Sequence, residues 1–278
     1  MGFCVLATTY AHPAGSLEIG TRNCKSTAGF VMDALSIAAA SGLRSRMDSL
    51  EMLANNLANA ATDGFKVDRE GYGLYLSPEA AADAANGSLP TVAPVVERHW
   101  TDFAQGVLRP TGNPLDLALS GRGFFAVNGP SGLMYTRNGS FRLAPDGQLT
   151  TPEGYRVRAR GGAGLRLVSS EPPEVSPDGT LRQRGQLIGQ LELVEFRSPA
   201  SLAKAGNSYF RNPDPAQAPT PAAVEVRQGH LESSNVNTAE AAVRLIGIMR
   251  QFEMLQKAIT LGADMNRKAI EEVAHVGQ

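Results

Sequence analysis

Apolar and polar positions alternate with a helical period at the two ends of the chain and with a strand-like period in its middle. From Asp33 to about Ala61, Leu43, Met47, Leu50, Ala54 and Leu57 recur alternately four and three apart, with Arg44, Arg46, Asp48 and Glu51 elsewhere on the cylinder. The spacing predicts a helix with a narrow, heptad-like seam, and Asp63-Gly64 is a good stop because glycine tolerates the left-handed conformation that ends many helices. A second helix is expected near the other end. There Asn237 can cap the first turn with Glu240 three positions on, and Leu245, Met249, Phe252, Leu255 and Ile259 share one side. That pattern weakens toward Ile270 and Val273, where Gly262 and Asn266 interrupt it.

Between the helices the sequence is rich in glycine and proline. Short runs with strand character stand out, among them GFFAV, MYTR, GSFRLA, GQLT, YRVRA and GQLELVEF. Asn138-Gly139, Asp146-Gly147 and Asp178-Gly179 predict tight connections between antiparallel strands. LAPDGQLT and VSPDGTLR resemble each other, and two similar turns account for them better than a repeat fold, which usually shows three or more copies. The small, polar stretch PEAAADAANGSLPTVAP reads as a flexible connection.

The fold class expected is α+β, with terminal helices pairing as a coiled-coil-like stalk beside a central all-β module. The organisation follows: 1–31 an atypical leader, 32–66 the first helix and its turn, 67–90 a flexible connection, 91–228 the β-rich module, and 229–278 the second helix with its approach. Residues 1–31 have mixed composition and no sustained period, and Met32 stands where the regular pattern starts, so either a mis-set start or a leader accounts for them.

Composition removes several functions. A chain of 278 residues with 42% hydrophobic content can bury a sizeable core, while a net charge of −1 provides no basic field for nucleic acid or acidic lipid. No segment approaches the roughly 20 apolar residues of a membrane span, and the short run Phe3 to Ala7 makes neither a signal peptide nor an anchor. Cys4 and Cys24 are the only cysteines, which leaves the rest of the chain without a disulfide or thiolate metal site. His12, His99, His230 and His275 have no second ligand type at metal spacing. Gly121 in GRGFF begins a strand rather than a phosphate loop, and Asp146 and Asp178 are turn residues rather than calcium ligands. Neither Tyr135 to Asn138 nor the arginines from Arg156 to Arg184 require a ligand. No nucleophile, base and orienter can be assembled, so no catalytic residue, cofactor or metal is expected.

The stretch LANNLANAATDGFK, Leu53 to Lys66, remains unusual. Asn56 lies beside Leu53 and Leu57, whereas Asn55 and Asn59 share a different side, and no charge occurs between Leu53 and Thr62. Small and amide residues all round fit close packing against several neighbours, where an amide fixes register. They fit equally a helix end that dissolves into a polar loop.

These residues resemble the N-terminal signature of the flagellar rod and hook protein family, an Asn-Asn-Leu-Ala-Asn run before a Thr-x-Gly-Phe turn. LESSNVNTAEAAVRLIGIMRQFEMLQKAI, Leu231 to Ile259, is similar to the family's C-terminal signature, and TGNPLDLALSGRGFFAV with GLMYTRNGSFRLAPDGQLTTPEGY resembles its middle. Phe252-Glu253 stands where members often have Tyr-Glu. One branch of the rod proteins carries Asp-Leu-x-Tyr-Gln after the Gly-Phe turn, and here GYGLYLSPEA stands instead; the longer hook protein would need further outer sequence.

The resemblance implies a non-enzymatic subunit of the flagellar basal-body rod in the periplasm, exported by the flagellar type III apparatus without a cleaved signal. It would assemble with copies of itself and with other rod and hook subunits, without nucleic acid or membrane insertion. Subunit contacts are expected at Leu43, Met47, Leu50, Leu53, Asn55, Asn56, Leu57, Asn59, Gly64 and Phe65. In the C-terminal part they are expected at Leu231, Glu232, Ser233, Asn235, Val236, Asn237, Leu245, Met249, Phe252, Leu255 and Ile259. Helices whose seams lack a partner would be poorly stabilised before assembly. The rival classes are an enzyme, which lacks its constellation, and a monomeric β-rich binding module or adhesin, which leaves the helical ends unexplained.

Overall fold

A computed structural model describes residues 34–76, 92–130, 132–168, 171–206 and 208–276. The leader expected over 1–31 lies outside these residues, as does most of PEAAADAANGSLPTVAP. The described residues form an α+β structure. Helix α1 spans Ala34–Ala58 and helix α2 spans Thr238–Val276, so Gly262 and Asn266 do not end the second helix. The Asn237 side chain accepts from the Glu240 amide at 3.3 Å, the cap that its position predicts. The helices pack against each other and run antiparallel. Gly42 faces Leu255, while Leu53 and Asn56 share a small cleft with Ala241 and Arg244.

Strand β1 (Asp68–Leu76) follows the turn after α1 and pairs antiparallel with β2 (Val92–Thr101). The connection expected over 67–90 is therefore strand in its first part. GYGLYL is short of charge and carries two tyrosines and two leucines, residues that suit a pleated surface, and pairing with β2 overrides its glycines.

Among the described residues, sixteen short strands make up the β body. In order they are β3 Leu108–Pro110, β4 Leu117–Ser120, β5 Phe124–Gly129, β6 Gly132–Thr136, β7 Arg142–Leu143, β8 Leu149–Thr150, β9 Arg156–Val157 and β10 Glu174–Val175. There follow β11 Thr180–Gln183, β12 Gln186–Gln190, β13 Leu193–Glu195, β14 Ala203–Lys204, β15 Tyr209–Arg211, β16 Thr220–Pro221, β17 Glu225–Gln228 and β18 His230–Glu232. The main sheet has the order β14-β15-β6-β5-β9-β8-β7. Strand β5 is its centre: Phe124 and Phe125 pair with β13, while Val127 and Asn128 pair with β9.

Alternation along β5 feeds two cores. Phe125 and Val127 enter a cluster with Leu117, Phe141, Leu149, Val157 and Leu181. Phe124 and Ala126 enter another with Tyr135, Phe196 and Phe210. A strand covered on both faces reads as a continuous apolar run, which is why GFFAV lacks polar alternation. The chain returns to the helix pair through β17, paired with β4, and β18, paired with β3. Strand β18 thus falls within 229–278, before the second helix.

Two of the three dipeptide turns join paired neighbours, Asp146-Gly147 between β7 and β8 and Asp178-Gly179 between β10 and β11. Their geometry repeats. The aspartate Oδ1 accepts from the amide two residues on at 3.1 Å in both. Asn138-Gly139 is different, because β6 and β7 do not pair. Its glycine lies against Leu117, whose amide donates to the Gly139 carbonyl at 3.0 Å, so the dipeptide carries the chain across to β4.

Candidate functional site

With no catalytic constellation expected, the candidate site is the surface of the helix pair and the junction tying it to the β body. Helix α1 turns a line of small and polar residues inward. Gly42, Ser45, Ser49, Leu53 and Asn56 are buried, at spacings of three or four. Helix α2 answers with larger residues: Ala241 and Ile248 are buried, and Leu245, Phe252, Leu255 and Ile259 are half-buried, alternately four and three apart. Small residues opposite large ones let the backbones approach; the Leu255 side chain lies 3.6 Å from where a Cβ on Gly42 would stand.

This arrangement divides the residues expected at subunit contacts. Met47 and Leu57 are exposed at 51% and 37%, and Leu43 and Leu50 are half-buried. At 100° per residue, this predicted apolar seam lies well round the cylinder from the line that α1 buries. On α2, Leu245, Phe252, Leu255 and Ile259 face the partner helix, but Met249 is exposed and Ile248 takes the inner place.

A second apolar stripe on α2 has no counterpart among the expected residues. Val243, Met254, Leu261 and Met265 are 72%, 62%, 63% and 64% exposed, and Ile246 flanks them. They fall on the side of the cylinder opposite Leu245 and Phe252. The described residues therefore leave the α2 stripe, and Met47 and Leu57 on α1, open to solvent, where monomeric proteins seldom keep contiguous apolar area.

The amides are bonded inside the chain. Asn56 donates to the Asp68 carbonyl at 2.8 Å and accepts from the Asp68 amide at 3.0 Å, joining the end of α1 to the first residue of β1. Asn59 donates to the Asn55 side chain at 2.7 Å and accepts from Thr62, which shapes the turn. Asn235 accepts from the Val67 amide at 2.8 Å and donates to the Asp102 carbonyl at 2.8 Å. Of the amide group, Asn55 and Asn237 are exposed. The physical reason is local: the chain reverses after α1, and side-chain amides satisfy the backbone groups that the reversal would leave unpaired.

The junction itself is charged and buried. Lys66 and Glu232 have no exposed side-chain surface, and Arg137 is 4% exposed. Glu232 Oε1 accepts from Lys66 Nζ at 2.5 Å and from the Gly106 amide at 2.9 Å; Oε2 accepts from Arg137 at 3.2 Å. Its carbonyl accepts from the Gly64 amide at 2.6 Å. Burial pulls both cations below their usual ranges, and the Glu232 carboxylate opposes that pull. Phe65 is buried beside this cluster, with the Lys204 ammonium 4.2 Å from its ring centre. Gly64, Phe65, Leu231 and Glu232 are therefore buried within one chain. Ser233 and Val236 are half-buried on the path into α2.

Lys66 and Arg137 were not legible as junction residues. The only sequence signal is a cationic residue directly after each of two short motifs, Lys66 after Gly-Phe and Arg137 after Tyr-Thr.

Comparison with known proteins places this geometry. Residues 38–66 match the family model described as flagella basal body rod protein, 118–186 the flagellar hook protein FlgE/F/G D1 domain, and 227–272 the flagellar basal body rod FlgEFG protein C-terminal. The flagellar basal-body rod protein FlgF of Caulobacter vibrioides is 34% identical over 231 residues, covering 82% of this chain and 92% of the relative. FlgF of Mesorhizobium japonicum is 33% identical, covering 80% and 90%. FlgG of Agrobacterium fabrum is 32% identical, covering 84% and 97%.

Proposed function

This chain belongs to the flagellar basal-body rod protein family, and from that premise we propose that it is an FlgF-like structural subunit of the rod, a mechanical part rather than a catalyst. It polymerises through the outer stripes of its helices, with itself and with other rod and hook subunits. The observation that carries this reading is the apolar surface left open: Met47 and Leu57 on α1, and Val243, Met254, Leu261 and Met265 on α2. Each such side chain fully buried contributes about 1.5–3 kcal/mol.

The helix pair then acts as a coiled-coil-like stalk whose inner seam is intramolecular and whose outer seams meet neighbours. Head-to-tail contacts that do not close generate a helical array, as a shaft requires. The site of action is the flagellar basal body, in its periplasmic rod. Export through the flagellar type III apparatus without a cleaved signal fits this role. GYGLYL in β1, in place of the Asp-Leu-x-Tyr-Gln element of the FlgG branch, supports the FlgF-like assignment.

The test replaces two outer positions, Met254→Asp with Leu261→Asp. Both side chains are largely exposed, so the purified variant should keep its helical circular dichroism and lose less than about 1 kcal/mol of stability. Cells carrying it as their only copy should export the protein and fail to swim. Normal swimming would overturn the assignment of these stripes to assembly.

A further inference from the structure

Three stretches of chain meet where the helical end, made of α1, α2 and the β1–β2 hairpin, joins the β body; two of them cross between the two parts and the first folds back at their boundary. They are the turn 59–67 after α1, the segment 102–107 after β2, and the segment 233–237 before α2. All three are bonded to one another. The Gly64 amide reaches the Glu232 carbonyl, the Asp102 amide the Val67 carbonyl at 2.9 Å, and the Ser233 amide the Val107 carbonyl at 2.9 Å. Lys66 Nζ donates to the Ala104 carbonyl at 2.7 Å as well as to Glu232. The stretches also touch closely. A Cβ on Gly106 would stand 1.9 Å from the Ser233 carbonyl oxygen, and one on Gly64 would stand 2.3 Å from the Asn138 amide nitrogen of the body.

The Glu232 carboxylate joins these stretches to the body. Its oxygens receive a cation from the first stretch, an amide from the second and the Arg137 guanidinium of the body, while its own backbone belongs to β18, just ahead of the third. Arg137 is fixed in turn by donating to the Gly121 carbonyl at 2.6 Å and by lying 5.5 Å from the Phe124 ring centre.

A buried group of two cations and one carboxylate is a poor way to gain stability, since apolar residues of similar volume often do as well or better. Directional bonds to three partners do something that apolar packing does not: they specify an angle. We infer that Glu232 is the positioning residue that fixes the orientation of the helical end on the β body, so that twist applied to one is passed to the other. The inference concerns the single chain; only its use in carrying torque rests on the rod reading.

Double electron–electron resonance on the full chain tests it. Spin labels are placed at exposed positions by Lys257→Cys on α2 and Arg211→Cys on β15, with Cys4→Ser and Cys24→Ser as background. The parent should give a narrow distance distribution. Glu232→Ala should broaden it about twofold, with Glu232→Gln in between, because the amide keeps one acceptor oxygen but loses the charge. Should Glu232→Ala fail to fold, the triple variant Lys66→Met, Arg137→Met, Glu232→Leu decides. It should melt close to the parent and still show the broad distribution. A narrow distribution in the folded triple variant overturns the inference, because the cluster would then be no more than filling. Both results are read on isolated protein, and they stand apart from the swimming test of the rod assignment.

Discussion

Replacing Gly64 by alanine is expected to destabilise the chain by about 2–6 kcal/mol, the sum of a strained left-handed backbone and an overpacked contact. Gly64 has φ +71°, and a Cβ there would stand 2.3 Å from the Asn138 nitrogen and 2.5 Å from the Arg137 carbonyl carbon. Both neighbours are backbone of the β body, so no side chain can swing away. Asparagine separates the two causes, because it tolerates positive φ better than alanine yet carries the same Cβ. If space decides, Gly64→Asn and Gly64→Ala should lose similar stability in urea titration; if backbone strain decides, Gly64→Asn should lie near the parent. The geometry predicts the first. Such a loss is a large part of the 5–15 kcal/mol that holds a typical domain together.

Phe125→Ala is the second large effect, expected to cost about 3–5 kcal/mol. Phe125 is fully buried at the centre of the main sheet, with its ring 5.1 Å from Phe141 in an edge arrangement. Its strand takes three partners, β6, β9 and β13, so collapse of the cavity would have to disturb several ladders at once. That argues for the upper half of the range. Leu143→Ala, at a position 36% exposed in a two-residue strand, serves as the control and should stay within about 0.5 kcal/mol. Equal midpoints in urea for the two variants would mean that β5 is not the centre of the core.

What the sequence discloses here is local, and what it hides is relational. The strands of GFFAV, YRVRA and GQLELVEF, and the cap at Asn237, depend on short-range pattern, and the structure contains them. The seam of α1 was read from its large apolar residues, yet those residues lie off the line that packs on α2, with Met47 and Leu57 exposed and Leu43 and Leu50 half-buried. A helix in an assembly has two buried faces, and the one that meets its own chain can be the small one when the partner supplies the volume, as Leu255 does over Gly42. Met249 and Ile248 are adjacent in sequence, and a 4-3 rhythm accommodates either; packing against α1 chose Ile248.

The asparagines were weighed as contacts to other helices or as a loosening helix end. The structure uses Asn56 to clamp Asp68 across the turn, a bond between residues twelve apart that no periodicity reveals. The Lys66, Arg137 and Glu232 group was still less accessible, because its members are far apart in sequence and only the finished fold brings them together. The helices were expected to pair with each other and to keep seams that only assembly satisfies. Among the described residues they pack together, with Met47 and Leu57 of α1 and Val243, Met254, Leu261 and Met265 of α2 exposed.

That outer surface has an unusual chemistry. Met47, Met254 and Met265 within the stripes, and Met249 elsewhere on α2, are all more than half exposed, so thioethers recur along this surface. Thioethers are soft enough to mould to differing neighbours, which suits a subunit meeting both its own kind and related proteins. They are also the side chains that mild oxidants convert to polar sulfoxides. On the assembly proposed above, a subunit oxidised before it joins the shaft is expected to keep its fold and lose its adhesion, and one already in place to have its sulfurs shielded by the next subunit along.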